Sequence, residues 1–158
     1  MLWRSLRKNM TWRAIPIAGI AGGAAFLLIN MVLTPLVLKI NGVLFLRYAA
    51  SLLLGNKAVM DNGVGVVVVG IIIHFVLSLV YALVIALIVH RWGLGVGLVG
   101  GAILGLALYG INLYTFTLLF PWFFAINGPI LLLSHVLFGT VAGGTYELLD
   151  HYDVEGRI

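Results

Sequence analysis

Four side chains offer chemistry inside an otherwise apolar chain: Asn30, His74, Asn112 and His135. A neutral imidazole can donate and accept a hydrogen bond, relay a proton or ligate a metal. A carboxamide donates and accepts but ligates metals poorly. His74 lies in "IIIHFVLSLVYALVIALIVHRW", residues 71–92, where nearly every neighbour is hydrocarbon. At membrane depth such groups tend to face the bundle interior and pair with one another.

The elements that must position them are read from composition. The chain has 158 residues, 63% hydrophobic and only 9% charged, with a mean hydropathy of +1.17. Soluble domains are nearer half apolar and a quarter charged, so this is an integral membrane protein. Apolar runs predict four helical spans, at about 14–38, 64–89, 94–119 and 129–149. Each reaches the roughly 20 residues that cross a bilayer. The first follows the basic segment 1–13. It is longer than a signal-peptide core of roughly 7–15 residues and is read as a retained helix. Pro35 should kink or finish it. Between the first two spans, residues 43–54 predict an interfacial or re-entrant helix, with Asn41 before it, Gly55 after it and Arg47 snorkelling to headgroups.

Arg91-Trp92-Gly93 is a tight turn with Arg91 and Trp92 as interfacial anchors, and Trp122 in "PWFFAINGP" suits the opposite interface. An N-in orientation puts six Lys and Arg inside (Arg4, Arg7, Lys8, Arg13, Arg91, Arg157) and three outside (Lys39, Arg47, Lys57). That bias predicts both termini in the cytoplasm. The net charge of +4 is thus a topology signal with anionic lipid as its partner, not a nucleic-acid footprint. The tail from Glu147, with Asp150, Asp153 and Glu155, reads as a solvated end. The chain has no cysteine, which excludes thiol chemistry and disulfides.

The spans repeat. Gly19, Gly23, Ile29 and Asn30 match Gly101, Gly105, Ile111 and Asn112 at a constant offset of 82. His74 and Ser78 match His135 and Gly139 at an offset of 61. The fold class is therefore an all-α membrane protein: two helical hairpins in a parallel repeat, one pseudo-axis along the membrane normal, and an interfacial helix in the periplasmic loop. At 1.5 Å per residue, Asn30, His74 and Asn112 lie about 24–27 Å from the inner ends, and His135 about 18–21 Å. All four fall in one polar layer of the outer half. Gly97, Gly101 and Gly105, with Gly19 and Gly23, line helix faces that permit close backbone approach.

The polar layer admits three readings. It is a structural network fixing helix register, each bond worth about 0.6 kcal/mol. Or it lines a path for a ligand or ion. Or His74 and His135 hold a b-type haem. No cofactor is required, and no metal site forms without a third strong ligand. The spans hold no acidic residue in their interior, which disfavours cation coupling. No nucleophile–base–acid set occurs, and G-x-G-x-x-G at Gly95–Gly100 lies in a span without a preceding strand, so it is not a dinucleotide loop. These residues point to a protein that is not itself an enzyme.

"IHFVLSLVYALVIALIVHRWG", "YGINLYTFTLLFPWFFA" and "HVLFGTVAGGTYELLD" resemble a group of small bacterial four-helix inner-membrane proteins, some of them labelled sodium:proline symporters. The resemblance spans about residues 15–150 and implies a bacterial inner-membrane location. It carries over no substrate and no binding residue. The most economical expectation is a structural or accessory subunit, packing on other membrane proteins or on itself through the glycine-lined faces. A small oligomeric transporter or channel is the alternative, and a haem-bearing electron-transfer subunit the third.

Overall fold

The computed structural model describes residues 10–155, with side chains to Asp150. Arg4, Arg7, Lys8 and Arg157, expected on the cytoplasmic side, lie outside the described residues. Helix α1 (Ala14–Leu33) continues through a π-helical turn, Thr34–Leu38. Helix α2 is Leu44–Leu54. A 3₁₀ turn, Asn56–Met60, leads to α3 (Val64–Val89). Helix α4 (Leu94–Gly110) runs into a π-helical turn, Ile111–Thr115, and a last α-turn, α5 (Phe116–Leu119). A 3₁₀ segment, Pro121–Ile126, precedes α6 (Pro129–Glu155). No strand occurs among the described residues. Four spans are long and apolar enough to cross a bilayer: Ala14–Leu38, Val64–Val89, Leu94–Leu119 and Pro129–Asp150. The chain is a small multi-pass membrane protein.

The first span ends as Pro35 requires. Proline sits at the start of the wide turn, and Lys39 then adopts a left-handed conformation at φ 59°. Before α2, the Asn41 side chain accepts the Val43 N–H at 2.9 Å, and Gly55 closes the helix at φ 81°. Helix α2 is no loose interfacial rod. A side chain at Gly70 of α3 would collide with the Leu46 carbonyl, so the two backbones touch about 9 Å along α3 from Val64. Ala49, Ala50 and Ser51 are buried there.

Packing inside each hairpin preserves the sequence repeat. A Cβ at Gly19 would press on Leu79 and Ala82 of α3, and one at Gly23 on Ser78. At the same offsets, Gly101 meets Gly143 and Gly139 meets Gly105 across α4 and α6. Between the hairpins the repeat fails. Helix α6 packs broadly on α1, whereas α3 meets α4 only lightly. Sequence explains the asymmetry. Gly22 lets α1 approach α6 until a Cβ there would touch the Phe138 carbonyl at 2.9 Å, but its repeat counterpart on α4 is Leu104. A leucine holds apart what a glycine draws together.

Three expectations change. The glycine faces are internal. Gly19, Gly23, Gly97, Gly101 and Gly105 are spent on α3 and α6 of the same chain, so they offer no face to a partner. The acidic tail does not begin solvated: Glu147 and Asp150 are buried. Glu147 Oε2 accepts the Gly93 N–H at 2.8 Å, and Asp150 Oδ1 accepts the Thr11 N–H at 3.2 Å. Third, Trp122 does more than mark an interface, because its indole N–H donates to Ser51 Oγ of α2 at 2.8 Å.

Candidate functional site

All four polar residues picked out in the sequence take part in hydrogen bonds between helices. Asn30 of α1 donates to Ser134 Oγ of α6 at 2.8 Å and to its own-helix Phe26 carbonyl at 2.9 Å. His74 of α3 meets the Gly23 carbonyl of α1 at 3.0 Å. Asn112, in the π-helical turn, meets His135 Nε2 of α6 at 3.0 Å, and Tyr81 of α3 closes on Asn112 Oδ1 at 2.7 Å. The four spans are thereby tied together at one level. A π-turn is wider than an α-turn and re-aims the side chains it carries. Here it holds Asn112 between α3 and α6.

Proton positions follow from the partners. A carbonyl only accepts. His135 Nδ1 lies 2.9 Å from the Leu131 carbonyl, so Nδ1 carries the hydrogen and Nε2 a lone pair. The group facing that lone pair must be the Asn112 NH₂, which turns Asn112 Oδ1 toward Tyr81 and makes the tyrosine the donor. By the same logic His74 donates Nε2–H to Gly23, leaving a lone pair on Nδ1. Ser78 is spent as well, donating to the His74 carbonyl at 2.8 Å.

The two histidines do not join. The Phe26 ring stands 5.3 Å from the His74 ring and 5.0 Å from the His135 ring. Both Nε2 atoms are already engaged. A macrocycle between them would need both those atoms and the space of Phe26, so these residues do not fit a bis-histidine haem. Among the described residues, no group of three His, Asp or Glu side chains is placed to hold a metal ion.

His74, Ser78, Tyr81, Asn112 and His135 instead line one cavity of about 90 Å³. Its remaining walls are five phenylalanines, Phe26, Phe45, Phe116, Phe123 and Phe138, with aliphatic residues between them. It sits at the seam where α3 and α4 barely touch, roofed by α2 and the 3₁₀ segment. Leu77, Tyr81, Asn112 and Phe116 along this seam are half-buried, so the cavity is incompletely covered where α3 and α4 part. Asn30 is absent from this lining and borders a second cavity of about 140 Å³ beneath α2, with Thr34, Tyr48 and Asn127. The polar level is thus divided between two cavities.

Sequence reasoning missed Ser134 and Trp122 as hydrogen-bonding partners. Ser134 carried a signal, since it directly precedes His135 on the polar level. The anchors Arg91 and Trp92 are exposed in the turn, Arg91 with φ 73°, and Arg47 is half-buried with its Nε unpartnered. Compared with protein-family models, with curated proteins and with solved structures, the chain matches none.

Proposed function

We propose that this four-helix protein is a non-catalytic binding module of the bacterial inner membrane, oriented with both termini in the cytoplasm. Its cavity, on this reading, takes up a lipid-soluble molecule from the periplasmic leaflet. The observation that supports this is the lateral opening at the α3–α4 seam. There the repeat would place helix against helix, and a largely apolar cavity with five polar side chains stands instead. Such concave, mostly apolar sites with a few placed polar groups suit small ligands. No acidic side chain lines either cavity, so the reading is of binding rather than cation conduction. The test is mass spectrometry of small molecules that stay with protein extracted gently in native lipid. A defined lipid-soluble species should co-purify with the wild type and be depleted at least tenfold in Leu77→Trp, which plugs the seam. Equal recovery from both would sink the reading.

A second reading keeps the accessory-subunit role but moves its surface. The same open seam would seat a helix of another membrane subunit, in place of the internal glycine faces. Native mass of the extracted protein separates the two, because a subunit would travel in a larger particle with other polypeptides.

A further inference from the structure

One polar atom of His74, a buried residue that lines the cavity, is left over. His74 donates Nε2–H to Gly23, and its Nδ1 has no hydrogen-bond partner among the described residues, although the residue is only 7% exposed. The other donors of the cavity are largely consumed: Tyr81 on Asn112, Ser78 on the His74 carbonyl, and one Asn112 N–H on His135. What the site offers an incoming group is a lone pair on His74 Nδ1 and the second N–H of Asn112.

That inventory selects a ligand chemistry. The lone pair calls for a donor and the spare Asn112 N–H for an acceptor, so a hydroxyl, which supplies both, satisfies the site where a ketone, ester or ether would leave His74 Nδ1 unpaired. No Lys, Arg, Asp or Glu lines the cavity, so an ionised headgroup would arrive without a counter-charge at a depth where that is costly. At about 90 Å³ the space is smaller than the roughly 300–1,000 Å³ of ordinary ligand pockets. It suits a compact head whose tail leaves through the seam into the bilayer. The aromatic walls suit a ligand that is otherwise hydrocarbon.

Resting on the binding-module reading, we propose that the crevice receives a neutral, hydroxyl-headed amphiphile, a membrane-borne alcohol whose O–H is donated to His74 Nδ1. The test uses protein labelled with ¹⁵N-histidine in nanodiscs of phosphatidylcholine, whose lipids carry no hydroxyl. The probes are 1-dodecanol, dodecane and dodecanoate. Dodecanol should move the His74 Nδ1 resonance toward the hydrogen-bonded range and saturate. Dodecane and dodecanoate should not, and Leu77→Trp should weaken the dodecanol response at least tenfold while the His90 signals, which come from the end of α3 outside the cavity, stay in place. Equal responses to dodecane would mean a merely apolar cavity. A Nδ1 signal already hydrogen-bonded and unmoved by dodecanol would mean water alone. Either overturns the proposal, as does no response at all. If a native molecule without a hydroxyl co-purifies while dodecanol is silent, this assignment falls and the binding module stands. If nothing co-purifies and all probes are silent, both fall.

Discussion

Tyr81, Asn112 and His135 form a directional chain, each link fixed by the one before. The Leu131 carbonyl sets the His135 tautomer, the tautomer sets the Asn112 amide, and the amide sets the tyrosine proton. Cutting it at different points should have unequal effects. Tyr81→Phe removes the last donor and leaves Asn112 Oδ1 half-exposed at the seam, so thermal unfolding in detergent should report a loss of about 0.6 kcal/mol, the average for such bonds in membranes. Asn112→Leu leaves the buried His135 Nε2 without a donor, and should cost about 1–3 kcal/mol by the same melt. Equal losses would mean that the chain is not directional. The depth arithmetic in the sequence could place His74, Asn112 and His135 at one level. It could not reveal that Phe26 divides the histidines, because an aromatic among apolar neighbours carries no mark of where its ring will stand.

Among the elements, α6 is the axle of the bundle. It packs on both α1 and α4, and on α4 the approach is backbone to backbone. Gly101 faces the Gly139 carbonyl and Gly105 the His135 carbonyl. A methyl at Gly101 has nowhere to go. Gly101→Ala should cost about 1–3 kcal/mol in unfolding free energy, as over-packing does. Gly110→Ala, on the same span but facing open space, should be neutral or stabilising. Span boundaries were legible in the sequence because hydrocarbon must cover each crossing helix for its whole length. The glycine spacing was equally legible as a packing face. Which surface the glycines would meet was not: Gly139 and Gly143 on α6 complete the fit, and only the fold brings the two sets together. The interhairpin asymmetry was written in Gly22 against Leu104, but reading it requires knowing that this position faces the other hairpin.

At the scale of the whole molecule, the N-terminal end of the bundle is closed by two carboxylates from one helix. Asp150 holds the backbone before α1, 139 residues away, and Glu147 holds the Gly93 N–H at the start of α4. A carboxylate at a helix start satisfies an orphan donor and favours the helix dipole. Glu147→Ala should therefore cost about 1–2 kcal/mol of stability and expose the Arg91–Gly93 turn to limited proteolysis. An unchanged melt and cleavage pattern would return this end to the solvated tail that its acidity first suggested. Local charge reads as solvent in a sequence. Burial became visible only once the turn and Thr11 were seen to supply N–H groups to the two carboxylates.

The π-helical turn at Ile111–Thr115 carries a consequence for how this chain can change over generations. Such a turn is geometrically one residue too many in an α-helix. A lineage that lost one residue there would gain a more regular span, still apolar and still long enough to cross the bilayer. Every side chain beyond the loss would be rephased by about 100°. Asn112 would swing from His135 and Tyr81, and the crevice would lose its polar wall. A census of length variation at this turn would thus separate descendants that kept the pocket from those that kept only the scaffold.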